Sequence, residues 1–192
     1  MQFTKIPENA FENMQLNAGV LLSTFDPATG KLSLENIIGA TTGGSEFKDT
    51  PSFTDYGDDV DNAPKNSKEL KRIDSREIKL TGTYISVDIK LLKDLVASAD
   101  IDKQDETKIV PRDTLTDADF KDVWLVADYG DNGFVAIHLM NALNTGGFSL
   151  KTGDKSKGQF AFEYTAHYSL KEQDKVPYEI YVKKTATTSS EE

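Results

Sequence analysis

The residues best placed for chemistry lie in "TDYGDDVDNAPKNSKELKR", residues 54–72. Four aspartates, Asp55, Asp58, Asp59 and Asp61, fall within seven residues, and Lys65, Lys68, Lys71 and Arg72 follow. Clustered carboxylates supply the oxygen ligands that calcium takes. An EF-hand loop begun at Asp59, however, puts Pro64 at the sharp-turn glycine, and no glutamate closes it in register. Three readings stay open: a non-EF cation site, a solvated loop, and a contact with a neighbouring copy of the chain.

Other chemistry is thinner. His138 and His167 fall in alternating, strand-like stretches, and no G-x-S-x-G accompanies them. A triad needs nucleophile, base and orienter in register, so hydrogen-bonded or exposed strand histidines are expected, and no catalytic residue. "GATTGG" and "NTGG" match no phosphate-loop pattern and read as glycines at bends or bulges. With 32 acids, any glycosidase-like carboxylate pair can be drawn, so none is specific. Trp124 reads as lying opposite the Val123, Leu125, Ala127 face of its strand, exposed or at an interface, although a lone strand tryptophan is more often packing than a sugar platform. The absence of cysteine excludes disulfides, thiolate metal sites and cysteine nucleophiles. No cofactor and no metal ligand set is expected.

The elements that must position these residues follow from composition and pattern. The chain has 192 residues, 38% of them hydrophobic, enough for one domain with a core. No apolar run approaches the roughly 20 residues of a membrane helix. "MQFTKIPENAFENMQ" lacks a basic region followed by an apolar core, so no signal peptide is expected. A net charge of −10 argues against gripping nucleic-acid phosphates, but not against a wall that DNA slides past.

Residues 1–18 read as an irregular arm, followed by a short apolar segment at 19–25, a turn at "DPATG" and a strand at 31–40. Residues 41–75 hold Gly43-Gly44, Pro51, Gly57 and Pro64 and read as one long loop, unusual enough to imply a role. "REIKLTGTYIS", 76–86, alternates as a half-buried strand with Ile78, Leu80, Gly82 and Tyr84 inward. A helix of about three turns follows, with Ser86 as N-cap, Asp88 in its first turn and a stripe of Leu91, Leu92, Leu95 and Val96. A short strand is expected at 107–111 and a turn at 113–119. Two consecutive hairpins then pair 121–129 with 133–142 through "GDNG", and 146–151 with 158–170 through "TGDKSKG". The last of these puts Phe160, Phe162, Tyr164, Ala166 and Tyr168 on one face and Gln159, Glu163, Thr165, His167 and Ser169 on the other. "VPYEIYVKK" is a final strand, and residues 185–192 are a polar tail, mobile by expectation. The sum is a single mainly β domain over residues 1–184 (α+β in the broad sense). It is an antiparallel β-sandwich or partial barrel with one flanking helix.

Taken in order, "FENMQLNAGVLLSTFDPATG", "IIGATTGG", "YGDDVDNAPKNSKELKRID", "KIVPRDTLTDADFKDVWLVADYGDNGFVAIHLMNALNTGGFSLKT" and "KGQFAFEYTAHYSLKEQDKVPYEIYV" resemble the major tail (tail tube) proteins of long-tailed phages and prophages of Gram-positive bacteria. The resemblance spans nearly the whole chain and rests on the ordered set, not on one motif. It implies a tail-tube-like sandwich with a flanking helix, and rings of six whose inner strands form one continuous β-barrel. The rings stack head to tail through a long loop and terminal arms around an acidic lumen that DNA crosses at ejection. It also implies tape-measure and tail-terminator partners, no membrane, and a place in the virion tail after assembly in the host cytoplasm. It carries no catalytic residues.

Charge pattern fits that implication. Residues 44–64 hold one base and six acids, net −5, and residues 65–79 hold six bases and three acids, net +3. A head-to-tail stack needs two unlike, complementary end faces. On this reading 41–75 is an inter-ring loop contacting its neighbour through Phe47, Phe53, Tyr56, Asp58, Asp59, Asp61, Lys68, Lys71 and Arg72. Phe11 and Leu16 add apolar contacts. Candidates for the lumen are Asp128, Asn141, Gln159, Glu163, Thr165, His167 and Ser169, and the bases of "KTGDKSKG" place that turn at a ring end or outside. Two other readings compete. One is a different virion protein, such as a decoration or tail-terminator subunit. The other is a carbohydrate- or cation-binding β-sandwich module.

Overall fold

A computed structural model describes residues 5–130 and 133–184. The polar tail at 185–192 and the two middle residues of "GDNG" lie outside the described residues.

The alternation of residues 76–84 builds the centre. Strand β3, Lys71–Tyr84, sinks Ile78, Leu80 and Tyr84 to 1% exposure or less. It pairs with β9, Gln159–Ala166, whose Phe160, Phe162, Tyr164 and Ala166 are buried on the same side. Gly82 sits opposite Phe162, and a Cβ there would meet the Phe162 ring at 2.6 Å. The glycine is the space into which that aromatic lies. Rings continue the stack, with Tyr84 to Phe162 at 4.6 Å and Phe162 to Tyr164 at 5.1 Å.

The second layer is the hairpin of β6, Lys121–Tyr129, and β7, Gly133–Asn144. β1, Val20–Leu22, pairs with β6, and β10, Tyr178–Lys184, pairs with the first half of β7. β7 then changes neighbours. Residues 133–139 lie against β10, and residues 142–144 lie against β9. Between them Asn141 is left-handed at φ 49°, and the β6 register shifts beside it. This irregularity carries β7 from one layer into the other. The eight-stranded sheet runs β1-β6-β7-β9-β3-β2, where β2 is Thr41–Asp55 and β8, Ser149–Lys151, adds to the edge of β9. Its arrangement is antiparallel and consistent with a β-sandwich, with no closed barrel among the described residues. One core joins Leu21, Val123, Leu125 and Leu139 to Ile78, Leu80, Phe160 and Tyr164. Each such side chain contributes about 1.5–3 kcal/mol on burial.

Helix α1, Ile89–Leu95, closes one side of this core with Leu91 and Leu95. It has seven residues, two turns rather than three. Its cap is Asp88, whose carboxylate accepts the N–H groups of Lys90 and Leu91, while Ser86 Oγ accepts the Ala40 N–H. A separate two-stranded piece, β4 (Ala99–Ile101) with β5 (Ile109–Pro111), follows the helix.

Several expectations are corrected. No strand covers 31–40. A 3-10 turn at Leu34–Asn36 satisfies that backbone locally, through Ser23 N–H to the Asn36 carbonyl and Asn36 Nδ2 to the Thr24 carbonyl. Residues 41–75 are not one loop but two long strands and their tip. The glycines that read as breakers, Gly43 and Gly44, have φ of 77° and 81° and form a bulge inside β2. Pro51 is tolerated because β2 is an edge strand with β3 as its partner. Trp124 is neither exposed nor at a surface. It is 7% exposed in a second core with Leu22, Phe25 and Ala136, because β6 is covered on both faces. β9 ends at Ala166, and Tyr168 is 46% exposed beyond it. The strands expected at 107–111 and 146–151 are each cut to three residues.

Candidate functional site

The inter-ring candidates sit on a ribbon. β3 keeps β9 as a neighbour only from Lys79 onward, so its residues 71–78 pair with β2 alone. From the buried Ile78 to Lys71 the ribbon runs seven steps of about 3.3 Å, roughly 23 Å along the strand. Its side chains still alternate, with Phe47 opposite Leu80 at the root and Phe53 opposite Ile73 near the end. Phe47 packs against the core, but Phe53, Tyr56, Val60 and Ile73 are 48–61% exposed. An isolated two-stranded ribbon is marginal in water, and this one ends in apolar surface that it cannot bury itself.

The tip is held by Asp55. Its Oδ1 accepts the Gly57 N–H at 2.9 Å and its Oδ2 the Asn66 N–H at 2.7 Å. These bonds hold its carboxyl below the usual carboxylate range. The Tyr56 N–H donates to the Leu70 carbonyl, and Asn62 and Asn66 are left-handed. Asp55 is thereby committed to backbone. Asp58, Asp59 and Asp61 are exposed and have no ion-pair partner among the described residues. No group of three metal-ligating side chains converges among the described residues. Lys68 meets its neighbour Glu69 at 3.5 Å, Lys71 lies 5.3 Å above the Phe53 ring, and Arg72 donates to the Glu69 and Lys71 carbonyls. The acidic and basic halves of the tip do not neutralise each other.

The root is anchored by a polar cluster. Asp49 Oδ2 accepts from Arg76 Nη1 and from the Tyr178 hydroxyl, the latter at 2.9 Å. Phe47 and Tyr178 rings lie 5.2 Å apart. The Asp49 hydrogen bond, then burial, raises the Tyr178 phenol above its ordinary value. This polar knot ties the ribbon to β10.

The lumen candidates divide into three places. Gln159, Glu163 and Thr165 share the outward face of β9. Glu163 pairs with Lys79 at 3.1 Å, and the Thr165 and Thr145 hydroxyls are 2.6 Å apart. Lys48, Lys79 and Lys151 stand on the same outward face, so it is mixed in charge rather than poor in bases. Asn141, His167 and Ser169 line a separate depression, where His167 Nδ1 donates to the Asn141 carbonyl at 3.2 Å and its ring meets Phe120 edge-on. Asp128 lies apart from both, bonded to Asn17 of the N-terminal arm. That arm runs beside the β6–β7 turn, with Leu16 N–H on the Asp128 carbonyl, and leaves Phe11 and Leu16 exposed.

A cleft of about 550 Å³ lies between α1 and β6. Four of its carboxylates have internal partners: Asp94 takes Lys121, Asp88 caps the helix, Asp119 takes Arg112 at 2.7 Å, and Asp122 takes His138. Burial pushes the Asp119 carboxyl up, but the Thr116 N–H, Arg112 and the Thr116 hydroxyl more than offset it and hold it low. His138 stacks on Trp124 at 3.9 Å and donates to Asp122 at 3.0 Å. Comparison with protein-family models and with curated proteins found no match to this chain.

Proposed function

We propose that the chain is the structural subunit of a phage tail tube, polymerising as stacked rings of six around a lumen that DNA crosses at ejection. The ribbon carries this reading. It runs about 23 Å outward from Ile78, ends in Phe53, Tyr56, Val60 and Ile73 half in water, and bears acids that have no ion-pair partner among the described residues. Only a partner's surface buries such an extension, and a polymer of identical copies supplies one at every repeat. The open edge of β10, with Ile180 and Val182 exposed, is a second surface of the same kind. Tape-measure and tail-terminator proteins are the further partners of such a tube, and the virion tail is its location. A net charge of −10 per copy keeps DNA phosphates from adhering and makes assembly sensitive to salt.

Negative-stain electron microscopy across concentration and salt tests this. Hollow tubes or six-fold rings are the expected result. Replacing residues 52–74 by a tight turn should abolish stacking and leave the domain folded. A particle that stays monomeric, and whose melting temperature rises with calcium or a glycan, overturns the reading in favour of a binding module.

A further inference from the structure

The ribbon has a complementary surface at the other end of the same strands. β3 and β9 are antiparallel, with Lys79 opposite Thr165 and Tyr84 opposite Phe160. The ribbon leaves past the Lys79–Thr165 end. The β8–β9 turn, residues 152–158, leaves past the Tyr84–Phe160 end. One copy's tip therefore points away from its own turn, while a copy displaced along the strand direction brings tip and turn together.

Their chemistry matches. The turn and its flank hold Lys151, Lys155 and Lys157 against Asp154, net +2. None of the three lysines has an ion-pair partner among the described residues. Phe148 and Leu150, each 49% exposed, lie on the same hairpin, on the Phe160 side of it, while Lys151 stands on the other face. The tip offers the mirror set: three acids in residues 58–61, net −3, next to exposed Tyr56 and Val60. Both surfaces are small apolar patches rimmed by unpaired charge, of opposite sign.

We propose that the ribbon tip of one copy docks on the β8–β9 hairpin of a second copy, Asp58, Asp59 and Asp61 meeting Lys155 and Lys157 of the turn over a contact of Tyr56 and Val60 with Phe148 and Leu150. This rests on reading the ribbon as the inter-ring element, and it names the receptor. The contact is heterologous and does not close on itself, so it propagates head to tail. Its charged rim sets the register and the rate of docking, and its apolar centre supplies the area buried.

The natural absence of cysteine makes the test clean. A chain carrying Asp59→Cys and Lys157→Cys is oxidised with copper-phenanthroline and run without reductant. A ladder of dimers, trimers and higher species is expected, and a mixture of the two single variants should give only the mixed dimer. A second pair of variants reverses the charges. One carries Asp58→Lys, Asp59→Lys and Asp61→Lys, and the other Lys155→Glu and Lys157→Glu. Each alone should lose assembly at least tenfold, and mixing them should restore it, because each tip then finds an opposite turn. Stacked rings of the natural chain without a ladder or rescue would overturn this docking and leave the tube reading standing. A ladder with rescue but no rings would support the docking and sink the tube. Absence of both would overturn both.

Discussion

The two halves of β3 are one strand with two fates. Residues 78–84 put Ile78, Leu80 and Tyr84 at 0–1% exposure, between β2 and β9. Residues 71–77 continue the same backbone, yet Ile73 is 48% exposed and β2 is the only neighbour. The inner half is stabilised by what this chain supplies. The outer half keeps its geometry from β2 and its apolar surface for something else. On the proposed reading, folding draws on the inner half and assembly on the outer, so substitutions on either side of Lys79 should separate them.

The largest effects belong to the body. Trp124→Ala removes a side chain packed against Phe25 at 5.7 Å and His138 at 3.9 Å and should cost about 3–5 kcal/mol in denaturant unfolding. Leu80→Ala should cost about 2–5 kcal/mol by the same measurement. Asp119→Asn strips Arg112 of a partner whose side chain is 2% exposed. A cost of about 3 kcal/mol is expected, at the lower end for a broken buried pair because Asp100 still meets Arg112 at 2.8 Å. Because the Asp119 carboxyl is held low, its contribution is full above about pH 4 and fades as pH falls. The natural chain should therefore lose stability on acidification more steeply than the Asp119→Asn variant.

The alkaline limb sharpens the picture of the core. Burial pushes the Tyr84 phenol far above its ordinary value and that of Tyr164 up to about 12. Their hydroxyls lie 3.5 Å apart in the interior. Raised folded values mean that stability is complete below about pH 10 and is lost as pH climbs, because the unfolded chain ionises first. Melting temperature should hold steady to about pH 9.5 and fall beyond it, with a shallower fall in Tyr84→Phe. The smallest effect on folding belongs to the ribbon. Phe53→Ser with Ile73→Ser should change unfolding free energy by about 0.5 kcal/mol or less per site, while reducing sedimenting polymer at least tenfold. Equal losses of folding at Leu80 and Ile73 would break the comparison.

How much of this was legible in the sequence differs between the same two halves. The period-2 pattern of residues 76–84 and the hairpin at 121–144 declared themselves, because one face of each is apolar and tertiary packing agrees with local pattern. The outer ribbon did not. Between Phe47 and Phe53 its inward positions are Asp49 and Pro51, which break the hydrophobic alternation, and Gly43-Gly44 with Pro51 look like loop chemistry when partners are unseen. Trp124 was misplaced because alternation assumes one covered face, and β6 has two. The Asp49–Arg76–Tyr178 knot joins residues up to 129 positions apart, and no local motif announces it. The acidic cluster was visible at once, but the withdrawal of Asp55 into backbone bonding was not.

That knot also makes the ribbon a lever. Its fulcrum is Asp49, and β2 runs about 20 Å from there to Asp55, so a turn of about 10° at the root sweeps the strand end through about 3–4 Å. On the proposed stacking, a column of such subunits would bend as stiff plates strung on short hinges, its curvature taken up as small rotations at Asp49, Arg76 and Tyr178 while each plate keeps its own core undeformed.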